Sequence, residues 1–300
     1  MLTVAPNYYG SFRCIASACR HSCCVGWEID IDEDTCEFYR ALDGKLSERF
    51  MRCVDFDCEQ PHFILSEDER CPFFNQNGLC DIITEYGEDA LCQICYDHPR
   101  FRNFFSDRTE IGLGLCCEAA ADLIINQTEP FSTLVIDGDS HEELSDEEKE
   151  LIAERDYAIA IVSDRSKSIG ERVEKLMSAF AVPCDRRTPF QWAEFFEGLE
   201  RLDSSWERYL DYLKTMSVFE ISEADSQKAE NLLTYFLYRY IPQVLDGADI
   251  RSAVGFAVLS CRIILLLSDI SSVQETARLY SSEIEYSEEN ISAVFEALLN

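Results

Sequence analysis

The sequence has few positive charges. Among its 300 residues, 26 Lys and Arg stand against 57 Asp and Glu, so the formal net charge is −31 at pH 7. Phosphate backbones are bound by clustered cations, and a chain with this balance repels them. We therefore exclude nucleic acid as a partner.

We expect neither a signal peptide nor a membrane span. The first ten residues carry no basic region and no apolar run of signal-peptide length. The longest apolar stretch, 253–267, is interrupted by Arg262 and is shorter than the about 20 residues that span a bilayer. We therefore expect a soluble, cytoplasmic protein that does not bind a membrane.

Internal repeats and low-complexity tracts are absent, and 47% of the residues are hydrophobic, which excludes disorder as the main state. Eight acidic residues between positions 137 and 150 divide the chain. We predict a cysteine-rich domain over 1–136, an acidic connection and helix start over 137–150, and an α-helical domain over 151–300. Ser145 and Glu148 have the spacing of a capping box at that helix start.

The second part has the 3.6-residue period of amphipathic helices. Thr188 before Pro189 predicts an N-cap with a first-turn proline, Pro242 a helix end, and Ser287 the cap of a last helix. The apolar stripes that predict the buried faces are Ile169, Val173, Leu176, Met177 and Phe180; Trp192, Phe195, Phe196, Leu199 and Leu202; Trp206, Tyr209, Leu210 and Leu213; Leu232, Leu233, Phe236, Leu237 and Tyr240; and Ile291, Val294, Phe295 and Leu298.

The first part is less regular. Residues 38–50 fit one helix that starts after Asp32 or Asp34, and 87–96 fit a short one. We expect cysteine ligands to replace much of a core there. The predicted fold is mainly α, with an irregular, cysteine-rich, metal-binding N-terminal region packed on an α-helical C-terminal domain.

Thirteen of the 15 cysteines fall within the first 117 residues. In a reduced compartment this density indicates metal binding or redox chemistry, while disulfides and inert thiols remain alternatives. Closely spaced thiolates hold zinc or an iron–sulfur cluster, and spacing does not distinguish the two. Cys92 and Cys95 also have the spacing of a redox pair. The isolated cysteines are expected to be small buried hydrophobes, namely Cys36, Cys53, Cys58, Cys184 and Cys261.

Other motifs are incomplete. Gly112 and Gly114 lack the third glycine of a dinucleotide or S-adenosylmethionine loop, and the cysteine triad typical of radical S-adenosylmethionine enzymes is absent. His21, His62 and His98 lie among the cysteines, where we expect surface residues or residues that support a ligand.

The cysteine segments together resemble the flagellin lysine-N-methylase family, which shares its cysteine pattern with a broader group of cysteine-rich zinc- or iron-chelating proteins. The fragments that carry the resemblance are Phe12-x-Cys14, Ala18-Cys19-Arg20, 23–29, Cys71-Pro72-Phe73, Gly78-Leu79-Cys80, Gly87, Leu91-Cys92-x-x-Cys95, Pro99-Arg100, Leu113-x-Leu115-Cys116 and Glu118-Ala119. Looser likeness continues in 155–180, Trp206, 235–240 and 280–287.

The resemblance implies a cytoplasmic enzyme that transfers a methyl group from S-adenosylmethionine to lysines of flagellin and carries an iron–sulfur centre, with zinc as the alternative. The implied metal ligands are Cys14, Cys19, Cys23, Cys24, Cys71, Cys80, Cys95 and Cys116. Eight sulfurs exceed one four-ligand site, so either two sites exist or some sulfurs are structural. Cys92 and Cys117 fit the family pattern less well.

Methyl transfer to lysine needs a neutral amine, and the lysine pKa of about 10.4 requires a group that removes the proton. A carboxylate or phenol serves, and the candidates are Glu283, Glu285, Tyr280 and Tyr286. Two other classes remain open: a non-catalytic zinc- or iron-binding module with a helical interaction surface, and an iron–sulfur electron-transfer protein.

Overall fold

A computed structural model describes residues 1–139 and 141–299. Ser140, in the predicted connection, and Asn300, at the end of the predicted helical domain, lie outside the described residues. The chain forms two compact units. The smaller unit comprises Arg13–Arg100, and the larger one comprises Met1–Phe12 with Phe101–Asn300.

The predominance of helix is confirmed. About 53% of the chain is helical, with 13 α-helices and six strands in the described residues. In chain order these elements are β1 (Leu2–Pro6), α1 (Glu33–Ala41), α2 (Ser47–Cys53), β2 (Val54–Asp55), β3 (His62–Phe63), α3 (Asp81–Tyr86), α4 (Gln93–Asp97), β4 (Arg100–Phe104), β5 (Arg108–Leu113), α5 (Glu118–Ile125), β6 (Thr133–Asp137), α6 (Asp146–Val162), α7 (Ile169–Ala179), α8 (Pro189–Glu197), α9 (Trp206–Lys214), α10 (Ser226–Tyr240), α11 (Ile250–Leu267), α12 (Val273–Tyr280) and α13 (Glu288–Leu299).

The helix starts in the larger unit follow the predicted caps. The Ser145 hydroxyl accepts from the Glu148 N–H at 3.1 Å, and the Glu148 carboxylate accepts from the Ser145 N–H at 2.7 Å, so the capping box of α6 is complete. Thr188 caps α8 with Pro189 in its first turn. The Ser287 hydroxyl accepts from the N–H of Asn290 at 3.3 Å at the start of α13. These bonds satisfy amide groups that a helix start leaves unpaired.

The core of the larger unit surrounds α11, which packs against α10, α12 and α13. Of the helices in the described part, α11 alone has the length and mean hydropathy, 1.9, of a membrane span, and 78% of it is buried. Such burial is typical of a core helix. The predicted stripes are buried along α9 and α10. At α8 Trp192 and Phe196 are buried and Phe195 and Leu199 are half-buried, whereas Leu202 is 50% exposed because α8 ends at Glu197.

The larger unit also contains a four-stranded sheet, which the sequence analysis did not predict. Its strand order is β4-β5-β1-β6. Val4 of β1 lies opposite Glu110 of the parallel β5 and opposite Val135 of the antiparallel β6. These pairings join residues more than a hundred positions apart, so residues 1–12 and 101–137 belong to the larger unit. The compact units therefore differ from the division predicted at 137–150.

The smaller unit has its own apolar core, in contrast to the expectation that ligands would replace it. The Tyr39 and Phe50 rings stack with centroids 4.2 Å apart, and the Phe50 and Phe73 centroids lie 4.5 Å apart. The single helix predicted over 38–50 is two helices, because the chain turns at 42–46, where Gly44 has a φ of +119°. Residues 87–96 contain a 3₁₀ turn followed by α4.

Candidate functional site

In the smaller unit, backbone pairing brings cysteines from separate segments together. The N–H of Cys71 donates to the carbonyl of Cys24 at 2.8 Å, so the two segments lie side by side. The chain then turns, and the N–H of Asp81 donates to the carbonyl of Phe73 at 2.8 Å. This turn places Cys80, at the start of α3, in the same region as Cys24 and Cys71.

Helix α4 adds two more thiols. Cys92 stands directly before its first residue and Cys95 lies in its first turn, so their side chains share one end of the helix. The thiol of Cys95 interacts with those of Cys92, Cys71 and Cys24, and that of Cys80 interacts with Cys24. We call the interacting set the thiol cluster: Cys23, Cys24, Cys71, Cys80, Cys92 and Cys95.

Hydrogen bonds pair four of these thiols. A bond from the Cys23 thiol lowers the pKa of Cys24 to about 7, against the effect of burial. A bond from the Cys95 thiol likewise lowers the pKa of Cys92 and raises that of Cys95. Burial raises the pKa of Cys71 to about 12. Cys24 therefore gains thiolate character near neutral pH.

The donor chemistry of the thiol cluster fits a soft metal or an iron–sulfur centre, since both are held by thiolates. The sulfurs do not form a closed cage: in the described residues, no three His, Cys, Asp or Glu side chains are gathered tightly enough to hold a metal ion. Four of the thiols are instead hydrogen-bonded in two pairs, and metal binding would have to replace those bonds and release their protons.

The predicted ligands are thus distributed unevenly. Five of them lie in the thiol cluster, and all 15 cysteines are free thiols. Cys14 accepts from the N–H of Ala16 at 3.4 Å, and Cys19 donates to the carbonyl of His21 at 3.3 Å. Cys92, which was left out of the predicted set, is fully buried in the cluster. The two-residue spacing between Cys92 and Cys95 is the sequence feature that indicates that Cys92 belongs to the cluster.

The isolated cysteines follow the expectation in part. Cys36 and Cys261 are buried and donate to backbone carbonyls at 3.8 and 3.7 Å, but Cys184 is exposed, so its predicted burial is wrong.

The His62 ring approaches the thiol of Cys58 at 3.5 Å. Burial lowers the pKa of His98 to about 4, helped by the charge of Arg100, which keeps this imidazole neutral.

The larger unit holds a second constellation, around Arg239 at the end of α10. Its guanidinium pairs with the Glu285 carboxylate at 3.0 Å and donates to the Tyr235 hydroxyl at 2.7 Å. The hydroxyls of Tyr235 and Tyr240 both donate to Glu285 Oε2 at 2.8 Å. In the described residues Glu285 Oε1 has no hydrogen-bond partner. The Arg239 guanidinium also lies 5.6 Å from the centre of the Tyr286 ring. We call Tyr235, Arg239, Tyr240, Glu285 and Tyr286 the Arg239 network.

Cys116 belongs to this region, because its sulfur is hydrogen-bonded to the Tyr286 hydroxyl. Burial raises the pKa of Cys116 to about 12, although that bond and the charge of Arg239 oppose the rise. Tyr286 is 45% exposed, whereas the side chain of Glu285 is fully buried. Tyr286 is therefore the member through which the network reaches solvent. It follows a π-helical turn at Ser281–Glu285, a feature frequent at functional sites.

The other proton-acceptor candidates have partners in the core. The Glu283 carboxylate accepts from the N–H groups of Leu202 and Asp203 at 3.2 and 2.6 Å, and burial raises its pKa. The Tyr280 hydroxyl lies 2.8 Å from that of Ser260, and both side chains are fully buried. These contacts hold both side chains in the core. Arg239 was not among the predicted site residues, because its contact with Glu285 joins positions that are 46 residues apart in the chain.

Gly112 is a packing position. A side chain there would collide with the Phe101 ring, so this glycine allows β5 to lie against the ring. The Phe101 ring in turn lies 4.9 Å from the Arg239 guanidinium.

The comparisons with known proteins confirm the resemblance found in the sequence. The chain is 26% identical over 141 residues to proteins named lysine-N-methylase from Salmonella typhimurium and Salmonella choleraesuis, which is 42% of this chain. It is 25% identical over 133 residues to the flagellar biosynthetic protein FliU of Salmonella muenchen, 79% of whose length is covered.

The chain covers only 33%, about one third, of the length of the lysine-N-methylases it matches. No family model matches it. No solved structure matches it either.

Proposed function

We propose that the chain is a cytoplasmic protein-lysine N-methyltransferase that uses S-adenosylmethionine, acts on flagellin and carries a thiolate-bound iron–sulfur centre. The similarity to proteins named lysine-N-methylase is the observation that carries the proposal. The flagellar name of a third relative supports flagellin as the substrate. The thiol cluster supports the centre by the chemistry of its donors.

In the proposed reaction the neutral lysine amine forms a bond to the methyl carbon while the bond from that carbon to the sulfonium sulfur breaks. The lysine ammonium must first release its proton to solvent, because its pKa is about 10.4. Tyr286 is the exposed phenol of the Arg239 network. We assign it to contact the acceptor amine, and we assign Glu285 to hold Arg239 in place, since its carboxylate is buried away from solvent.

The residues that would hold the centre are Cys24, Cys71, Cys80 and Cys95, with Cys23 and Cys92 as the hydrogen-bonded partners of two of them. When bound, an iron–sulfur centre supplies a redox-active group, and zinc in its place supplies a structural link between segments. Because Cys24 and Cys71 lie on neighbouring segments, either group would join them.

The metal content of protein purified without oxygen tests the centre. We expect a brown protein with iron and sulfide, and a Cys71→Ser variant that loses both. Cys184→Ser is the matched control, because Cys184 is exposed and lies in the larger unit. A colourless protein with stoichiometric zinc would replace this proposal with the structural metal-binding module.

The activity is tested by incubating this protein with flagellin and S-adenosylmethionine and measuring the mass of flagellin peptides. Methylated lysines are expected with wild-type protein and with Cys184→Ser. The absence of any mass gain with protein that contains its iron and sulfide would contradict the methyltransferase proposal.

A further inference from the structure

Strand β6 is an exposed, apolar edge of the sheet in the larger unit. It is the last strand in the order β4-β5-β1-β6, and all five of its residues are exposed. Leu134, Val135 and Ile136 are 52%, 60% and 45% exposed. Proteins commonly shield such edges, because an unpaired strand is a template for another chain.

The register shows which backbone groups of β6 point outward. The N–H of Asn7 donates to the carbonyl of Ser132 at 2.8 Å, and Pro6, Ala5 and Val4 then lie opposite Thr133, Leu134 and Val135. Bonded and non-bonded pairs alternate in antiparallel strands. The N–H and C=O groups of Thr133 and Val135 therefore face away from β1, where no other strand of the described residues pairs with them.

The charge next to this edge favours one kind of partner. Asp137 ends β6, and Asp139, Glu142 and Glu143 follow within six positions, all exposed. A second copy of the chain, with a net charge of −31, would bring like charges to the same edge. An extended segment that carries lysines would meet opposite charge there.

We propose that the outer edge of β6 binds an extended, lysine-bearing segment of the protein substrate as an added strand. The backbone groups of Thr133 and Val135 bond to the segment, and the acidic residues after β6 attract its lysines. The choice of a lysine-bearing segment rests on the proposed methyltransferase function, whereas the strand edge is a property of the fold.

The test is a Val135→Pro variant. Proline removes the outward N–H of Val135 but no bond to β1, and edge strands accept proline at such positions. Val135→Thr is the matched control, because it keeps the N–H and the preference for strand. Circular dichroism and the unfolding midpoint of both variants establish that they are folded.

Binding is measured with a synthetic peptide that alternates lysine with valine and threonine and is long enough to span β6. We expect Val135→Pro to weaken its binding about tenfold, equivalent to about 1.4 kcal/mol, and Val135→Thr to leave it unchanged. A peptide methylated on its backbone nitrogens, and one with glutamate in place of lysine, should both bind less tightly than the first. Added salt should weaken binding of the lysine peptide.

Equal affinity of the wild-type and Val135→Pro proteins for the lysine peptide would overturn the inference, and so would tight binding of the glutamate peptide. If analytical ultracentrifugation shows a dimer of the wild-type protein that Val135→Pro abolishes, the edge binds a second copy of the chain, and the inference is overturned as well. Flagellin methylation is measured separately. If Val135→Pro methylates flagellin as well as the wild-type protein does, strand docking is contradicted and the methyltransferase proposal is not. If the peptide binds at β6 but flagellin is not methylated, the methyltransferase proposal is contradicted and strand docking is not.

Discussion

Replacing Glu285 by glutamine should destabilise the larger unit by about 3–5 kcal/mol, the usual cost of removing one partner of a buried ion pair. The side chains of Glu285 and Arg239 are 0% and 12% exposed, and the pair is 3.0 Å apart. Glutamine keeps the shape of the side chain but leaves the guanidinium without an opposite charge. Among the described residues, the only side-chain hydrogen bond that the Arg239 guanidinium then keeps is the one to the Tyr235 hydroxyl.

The double variant separates the charge pair from simple packing. Arg239→Met should also be costly, because it leaves the Glu285 carboxylate buried with only the Tyr235 and Tyr240 hydroxyls as donors. Arg239→Met with Glu285→Gln removes both charges. Its cost should be smaller than the sum of the single costs by about 0.5–3 kcal/mol, the range of coupling between residues in contact.

Urea unfolding followed by tryptophan fluorescence measures these costs. Trp192 and Trp206 are buried in the larger unit, and Trp27 lies in the smaller one. In a Trp27→Phe background the fluorescence reports on the larger unit alone, so unfolding of the other unit does not distort the transition.

Glu197→Gln is the control, because Glu197 pairs with Lys214 near the surface, where an ion pair contributes at most about 1 kcal/mol. A cost for Glu285→Gln no larger than that of the control would refute the reasoning. Strict additivity in the double variant would show that Arg239 and Glu285 do not act as a pair.

Two further predictions concern stability. Burial raises the pKa of Glu148, but hydrogen bonds from Ser145 and Ser106 outweigh it and lower the pKa from 4.5 to about 2. The stabilisation is therefore present above pH 4.5 and is lost as the pH falls toward 2, and Glu148→Gln should flatten this part of the stability profile. Gly112→Ala should lower stability by about 1–3 kcal/mol, since its methyl group meets the Phe101 ring. Phe101→Leu in the same chain should recover part of that loss, and an unchanged unfolding midpoint for Gly112→Ala alone would contradict the packing.

The helices of the larger unit were predictable because their signals are local. The Ser145 capping box and the Thr188-Pro189 start place hydrogen-bonding groups within four residues of the amides they satisfy. Leu202 shows the limit of periodicity. The stripe continues past Gly198, but the helix does not, and the side chain is exposed.

The sheet was not predictable in the same way. Strands β1 and β5 are five and six residues long, and neither shows a clear alternation of polar and apolar positions. Their pairing joins Val4 to Glu110, so it depends on the path of the chain and not on neighbouring residues. The exposed edge of β6, on which the docking inference rests, follows from that strand order.

The sequence by itself determined the helical character of the larger unit, the acidic balance and the cysteine-rich segments that resemble the lysine-N-methylases. Only the tertiary structure decided which cysteines meet: Cys24, Cys71, Cys80 and Cys95 share the smaller unit, while Cys116 lies beside Tyr286 in the larger one. It also decided that Glu285 is paired with Arg239. The reason is physical, because caps and helical periods act over a few residues, whereas a thiol cluster or a buried ion pair exists only after distant segments have packed together.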